Sequence, residues 1–288
     1  MHEDTELACD VGPWGYAGFV NALTDVRRAG FAGIEAGLDL VPAFEDRVHV
    51  LKEMLEAEGL TLVTIRTALQ HLSGGSAEEE CERCLNVARF LHGMGCKLLV
   101  VAAPPVAPEA AEEEWLLFTN LLSEVGRRAT EFHVRLLAAP EQGTIVGGRG
   151  DLERLARAFP AKNLGLAVDS GFLAASAQAP AGFFRKYKAR LAHLYLSDVA
   201  FRKTGGGAAA RKGKGKGKKG RAASARRSAS KVSLGKGMVN IERFLDAATT
   251  AKFQGWVTVR LNPAEVQRDA AGAAARARRV AAEALDLI

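Results

Sequence analysis

The chain has 288 residues, of which 48% are hydrophobic and 25% are charged, as is usual for a soluble globular protein. Its net charge of +6 depends on residues 202–231, which hold twelve Lys and Arg and no acidic residue; without those twelve charges the chain is at −6. No apolar run is long enough to cross a membrane, and the acidic first ten residues lack the apolar core of a secretory signal. The four cysteines have no framework spacing, which indicates reduced thiols and predicts a cytoplasmic protein.

Eight apolar or β-branched segments alternate with eight segments that favour helix. Strands are predicted at 6–12, 31–37, 60–68, 96–105, 133–141, 164–172, 191–198 and 255–262. Helices are predicted at about 17–29, 44–58, 76–95, 109–131, from 151 onward, 181–189, 241–251 and 263–287. Ser76 followed by Glu79 has capping-box spacing, and Asp151 is a predicted N-cap.

This alternation predicts parallel strands joined by right-handed crossovers. Eight units in 288 residues fit a closed (β/α)8 TIM barrel, an α/β fold, as one domain over residues 1–288. An open dinucleotide-binding sheet is disfavoured, because no G-x-G-x-x-G follows the first strand and no Walker P-loop is present.

The sixth predicted strand, LGLAVDSGF at Leu164–Phe172, is the most informative stretch of the chain. Its continuous apolar run is typical of a strand buried on both faces, and it leads directly to Asp169. Barrel enzymes keep their chemistry at the carboxyl ends of their strands, so we expect this carboxylate at the mouth of the barrel.

Five segments carry a resemblance to a known family through their order and spacing. They are GFAGIEAG, VRLLAAPEQGT, LGLAVDSGF, LAHLYLSD and LGKGMVNIERFLDAATTAKFQGWVTVRLN. Together they resemble the xylose isomerase-like TIM barrel family, which groups sugar isomerases and epimerases, inosose dehydratases and DNA-repair enzymes of the endonuclease IV type. The resemblance spans nearly the whole chain.

The resemblance implies one divalent metal (Mn, Mg, Co or Zn) held by a Glu, an Asp, a His and a Glu on strands five to eight. In this chain those positions are Ala139, Asp169, Tyr195 and Arg260. A single carboxylate cannot hold a hard cation, and a guanidinium would repel one. We therefore predict that the metal is absent, that no other cofactor replaces it, and that Arg260 pairs with Asp169 at the former metal position.

The resemblance and the positions of residues on the predicted strands together supply two sets of candidate site residues. The candidate acid–base groups are Glu35, Glu141, Asp169 and His193. The candidate substrate-binding residues are Arg66, Tyr195, Asp198 and Arg260, with Arg66 or Arg260 holding an oxyanion or a phosphate.

Three of the candidates also have a structural interpretation. Asp169 either contacts a substrate or caps a nearby backbone and pairs with Arg260. Glu35 either belongs to the site or is a structural residue of the mouth. His193 lies two residues before Tyr195, on the same strand face, and is either an acid–base group or a buried, hydrogen-bonded histidine.

A low-complexity segment rich in Lys, Arg, Gly and Ala, residues 202–235, follows the seventh strand on the same rim. This composition cannot bury a core, so we predict a disordered insertion. Its charge could contact nucleic acid or other polyanions weakly, or it could be a tolerated loop. Only Phe201 adjoins it as an aromatic, so base stacking is not supported.

The sequence therefore favours a protein like the sugar phosphate isomerases and epimerases, one that acts on or binds a small sugar or polyol without the family's metal. The alternative is a non-catalytic barrel that associates with polyanions or nucleic acid through its basic loop. No membrane partner is predicted, and turnover and oligomeric state stay open.

Overall fold

The computed structural model describes residues 5–70, 72, 75–106, 111–201 and 229–286. Its strands are β1 (Thr5–Asp10), β2 (Gly33–Gly37), β3 (Thr61–Ala68), β4 (Leu98–Ala102), β5 (Arg135–Ala139), β6 (Gly165–Asp169), β7 (Leu191–Leu196), β8 (Asp198–Phe201), β9 (Ala229–Val232) and β10 (Gly255–Val259). All except β8 and β9 run parallel and close into a barrel in the order β1-β10-β7-β6-β5-β4-β3-β2. The predicted TIM barrel is confirmed.

Helices follow the strands and cover the outside of the barrel. They are α1 (Phe19–Arg28), α2 (Leu40–Phe44), α3 (Val48–Ala57), α4 (Ala77–Met94), α5 (Ala111–Ala129), α6 (Arg149–Ala158), α7 (Ser170–Ala175), α8 (Pro180–Tyr187), α9 (Ile241–Thr250), α10 (Pro263–Val266) and α11 (Ala270–Asp286). Helix α1 shows the common pattern, with Ala22, Leu23 and Val26 buried and its basic end exposed. Within the described residues, no helix has the length and apolar content needed to span a membrane.

Predictions for four helices require correction. The helix predicted at 44–58 begins only at Val48, because Arg47 is outside the helical conformation with φ of −143° and ψ of 45°. The helix predicted at 263–287 is two helices, α10 and α11. Ser76 precedes α4 without a side-chain capping hydrogen bond, since its own φ of −74° and ψ of −6° are already helical. Gly148, not Asp151, is the N-cap of α6, and Asp151 Oδ2 accepts from the Gly148 amide at 2.9 Å.

Small side chains inside the barrel leave room at its mouth. The interior cluster consists of Val100, Ala102, Leu137, Ala139, Ala167 and Tyr195. A much larger apolar cluster fills the layer between the strands and the helices. Because alanines occupy positions 139 and 167, the space beside the Tyr195 ring stays open and becomes part of a cavity.

An antiparallel hairpin, β8–β9, stands on the rim directly after β7. Most of the predicted insertion, residues 202–228, lies outside the described residues. The remainder, from 229 to 235, is part of the rim, since β9 pairs with β8 and Leu234 is buried. Backbone pairing gives this end of the basic segment a defined place that its composition alone did not indicate.

Candidate functional site

Charged side chains gather where the barrel strands end. They are Asp10 at the end of β1, Glu35 in β2, Arg66 in β3, Asp169 at the end of β6 and Arg260 directly after β10. Because the strands are parallel, their carboxyl ends share one face of the barrel, where TIM-barrel sites are built.

A cavity of about 140 Å³ opens on this face. Its lining includes five charged residues, which we call the charged rim: Arg66, Glu141, Asp169, Lys231 and Arg260. Tyr195 and Ser197 add hydroxyl groups, and Phe172 adds an apolar wall. The lining thus combines three cations with two carboxylates.

Asp169 is held by hydrogen bonds on both of its oxygens. Oδ1 accepts from the Gly171 amide at 2.7 Å and from Ser197 Oγ at 2.5 Å. Oδ2 accepts from Arg260 Nη1 at 3.2 Å, which confirms the predicted ion pair. A Cβ at position 171 would lie 2.5 Å from Ser197 Oγ, so a glycine is needed for this close approach. Asp169 therefore both caps α7 and pairs with Arg260.

Glu141 is surrounded by the three cations of the charged rim. Its nearest distances are 2.5 Å to Arg66 Nη2, 3.5 Å to Lys231 Nζ and 3.7 Å to Arg260 Nη1. Burial opposes ionisation of this carboxyl, but the positive charges outweigh it and lower the pKa of Glu141 to about 2. Glu141 is consequently a weak base, although it faces the cavity.

A second group of polar residues lies deeper in the barrel, and we call it the neutral floor: Glu35, His193 and Tyr195. Tyr195 Oη donates to Glu35 Oε2 at 2.6 Å. Burial, followed by the charge of Asp10, raises the pKa of Glu35 to about 8, so this carboxyl is protonated at neutral pH.

The third member of the neutral floor, His193, is fully buried, and its ring nitrogens make no hydrogen bond within the described residues. Its Nε2 is 3.9 Å from Glu35 Oε2, and its ring packs edge-on against Tyr195. Burial lowers the pKa of His193 to about 3, so the ring is neutral. The prediction of a buried histidine is confirmed, but the predicted hydrogen bond is not found, because neither ring nitrogen has a partner among the described residues.

Asp198, a predicted substrate-binding residue, is placed elsewhere. Its carboxylate accepts from the backbone amides of Val199 at 2.8 Å, Gly237 at 2.7 Å and Val239 at 3.0 Å. The side chain is buried and does not line the cavity. The sequence correctly predicted a carboxylate at the end of a strand. Backbone amides of the chain after β9 donate to both of its oxygens, so they are not available to a ligand. Asp198 fastens that segment to the rim.

The donor set at the mouth does not fit a divalent metal ion. Of the four positions where the resemblance implies ligands, only Asp169 has a carboxylate, and both of its oxygens already accept hydrogen bonds. Arg260 brings a positive charge to the place where a cation would have to lie. Across the described ranges, no three His, Cys, Asp or Glu side chains assemble into a metal-binding group.

Sequence reasoning missed three contributors to the site. Lys231 was indistinguishable from the other basic residues of its segment. Ser197 carries no charge and belongs to no recognised motif, although its hydroxyl donates to Asp169 Oδ1. Asp10 ends the first strand 3.9 Å from Arg260 Nε, and its position at a strand end was the available signal.

Solved structures share this fold over nearly the whole chain. A xylose isomerase domain protein from Alicyclobacillus acidocaldarius has a TM-score of 0.73 and 16% identity, covering 97% of this chain and 99% of its own. A probable 3-DHS dehydratase from Bacillus anthracis has a TM-score of 0.72 and 14% identity, covering 96% and 98%. At these identities the likeness shows the fold alone.

Relatives found by sequence include two inosose dehydratases. The one from Clostridium botulinum (strain Alaska E43 / Type E3) is 26% identical over 194 residues, and the one from Bacillus anthracis (strain CDC 684 / NRRL 3495) is 27% identical over 194. Each match spans 63% of this chain and 63% of the relative. The model of the xylose isomerase-like TIM barrel family matches residues 23–284. The chain belongs to the xylose isomerase-like TIM barrel family.

Proposed function

We propose that the chain binds a small sugar or polyol that carries a phosphate or carboxylate group, at the charged rim and without a divalent metal. The observation that carries this proposal is the Arg260–Asp169 ion pair, 3.2 Å apart at two of the positions where the resemblance implies metal ligands. Relatives bearing names such as inosose dehydratase and D-psicose 3-epimerase support the sugar or polyol class.

The balance of charge at the cavity favours an anionic ligand. Three cations and two carboxylates line it, and the deeper Glu35 is uncharged at neutral pH because its pKa is raised to about 8. Arg66 Nε and Arg260 Nε are buried donors that make no hydrogen bond within the described residues. Guanidinium groups bind carboxylate and phosphate in a fixed fork geometry, so these two arginines suit an oxyanion.

Binding is better supported than proton abstraction. Glu141 faces the cavity, but with a pKa of about 2 it holds protons poorly. Asp169 already accepts three hydrogen bonds. Glu35 and His193 do not line the cavity. Each candidate base is therefore committed to an internal contact or lies out of reach of a ligand.

Calorimetry with two matched pairs of probes tests the proposal: sn-glycerol 3-phosphate against glycerol, and D-ribose 5-phosphate against D-ribose. We expect the phosphates to bind equally well in EDTA and in MnCl2, and the neutral compounds to bind much more weakly. Arg66→Gln should weaken phosphate binding about tenfold or more, since it removes a charge-assisted contact. Arg243→Gln, on the exposed face of α9, is the matched control.

Two results would contradict this function. Binding that disappears in EDTA and returns with Mn would establish a metal requirement. Equal affinity for glycerol and its phosphate would remove the anionic group from the proposal. The metal content of the purified protein, measured by mass spectrometry, provides an independent check.

A further inference from the structure

We propose that Lys231 is a nucleophilic lysine, whose Nζ forms a reversible imine with an aldehyde or ketone group of the bound anionic ligand. This inference rests on the proposed function, because the charged rim must first hold the anionic group. It extends that function by naming a ligand class, anionic sugars or polyols with a free carbonyl.

The position of Lys231 is set by the hairpin on the rim. In the β8–β9 register Lys231 pairs with Val199. The chain just beyond β9 is held to the rim because the amides of Gly237 and Val239 donate to the Asp198 carboxylate. Lys231 Nζ lies 3.5 Å from Glu141 Oε1 and lines the cavity. Its side chain is 42% exposed, so a dissolved carbonyl compound can reach it.

The surroundings of Lys231 raise the fraction of its side chain that is the neutral, nucleophilic amine, while the ammonium form remains one of the three cations of the charged rim. Partial burial of the side chain, followed by the positive charge of Arg260, lowers the pKa of Lys231, and the carboxylates of Glu141 and Asp169 oppose this. A lysine that is desolvated or placed beside another cation is the usual form of an imine-forming residue. Arg66 and Arg260 would hold the ligand's anion beside this amine, which raises the effective concentration of the carbonyl.

The chemistry needs no oxidant, reductant or metal. The Nζ lone pair attacks the carbonyl carbon and forms a C–N bond, while the carbonyl oxygen takes up a proton to give a carbinolamine. Loss of that oxygen as water leaves the C=N bond of the imine. Protonation of the imine nitrogen gives an iminium, whose charge the neighbouring Glu141 carboxylate stabilises at the position the ammonium held.

Borohydride trapping tests this step with dihydroxyacetone phosphate as the probe. Its matched control, sn-glycerol 3-phosphate, has the same anionic group and a hydroxyl in place of the carbonyl. We expect peptide mass spectrometry to find Lys231 carrying the probe less one water plus two hydrogens. Lys231→Arg should lose this adduct completely, and Lys231→Gln should lose it too. Lys236→Arg should keep it, because exposed Lys236 does not line the cavity.

Calorimetry with both compounds separates the two proposals. If both phosphates bind and no adduct forms at Lys231, the imine is wrong and the anion site stands. If neither binds, both proposals fail. Adducts confined to lysines outside the cavity, or equal trapping in Lys231→Arg, would also overturn the imine. Excess sn-glycerol 3-phosphate should suppress trapping at Lys231 by competing for the same cations.

Discussion

The charged rim and the neutral floor lie in contact, yet their ionisable groups differ in charge state. On the rim, Glu141 and Asp169 pair with arginines, and the Glu141 pKa falls to about 2. On the floor, Glu35 keeps its proton, with a pKa of about 8, and His193 stays neutral. An incoming anion can compete with Glu141 and Asp169 for the arginines. The neutral floor holds no charged partner for which an anion could compete. The comparison therefore supports the proposal that a ligand binds at the rim rather than at the floor.

The largest expected effect comes from breaking the ion pair of the rim. Asp169→Ala removes the nearest partner of Arg260, whose side chain is 13% exposed, and leaves it only Glu141 at 3.7 Å and Asp10 at 3.9 Å. Removing one partner of a buried pair typically costs about 3–5 kcal/mol, and because these two carboxylates keep part of the attraction, the free energy of unfolding in urea should fall by about 3 kcal/mol. Asp246→Ala, at an exposed position of α9, should change it by less than about 0.5 kcal/mol.

The double variant Asp169→Leu with Arg260→Met checks the cause of that loss. It removes both charges, so most of the stability lost in Asp169→Ala should return. If Asp169→Ala costs no more than Asp246→Ala, the rim is not held together by its ion pairs. The contrast with the floor would then disappear.

Much of this fold could be predicted from sequence, because its signals are local. Continuous apolar runs mark strands buried on both faces, and eight such runs separated by helices leave few architectures. The α2–α3 break at Arg47 was missed, since its cause is a change of backbone conformation that the amphipathic pattern does not record.

The site was less predictable, because side-chain depth and partners depend on the tertiary structure. Strand-end position correctly brought Asp169 and Arg260 together. The period of two put His193 and Tyr195 on one face, but it did not reveal that Glu35 and His193 lie below the cavity. Lys231 lies in a basic stretch whose composition does not indicate which lysine reaches the cavity. Its place there follows from the pairing of β9 with β8.

A second, smaller effect should appear in the pH dependence of stability, and it tests whether the floor is neutral. The folded protein keeps the Glu35 proton up to about pH 8, whereas the unfolded chain loses it near 4.5. Stability from this group is complete below pH 4.5 and is lost as the pH rises toward 8. His193 acts oppositely, since its pKa falls from 6.5 to about 3 and stability is lost as the pH drops below 6.5.

The pH range just above 6.5 is diagnostic, because of these two groups only Glu35 contributes there. Between pH 6.5 and 8 the wild-type protein should lose about 2 kcal/mol relative to Glu35→Gln, whose amide oxygen can still accept from Tyr195. Urea unfolding at several pH values measures the difference. Parallel curves for the two proteins would mean that Glu35 is ionised, and the floor would then be another charged layer.

The smallest expected effect concerns ligand affinity and involves Glu141. Its negative charge lies beside the cations that the proposed anionic ligand would contact, and it therefore repels that ligand. Glu141→Gln removes a negative charge from among Arg66, Lys231 and Arg260 while keeping the side-chain volume. Since Glu141 is 33% exposed, solvent screens this charge, and we expect sn-glycerol 3-phosphate to bind about fivefold more tightly, or about 1 kcal/mol.

Calorimetry at two salt concentrations measures this gain, which should shrink as ionic strength rises. Glu153→Gln is the matched control, because Glu153 also accepts from two cations, Arg149 and Lys186, but lies away from the cavity. A loss of affinity in Glu141→Gln, with Glu153→Gln unchanged, would reverse the interpretation. Glu141 would then be needed to hold Arg66 in its binding position, and the rim would resemble the floor in being fixed before the ligand arrives.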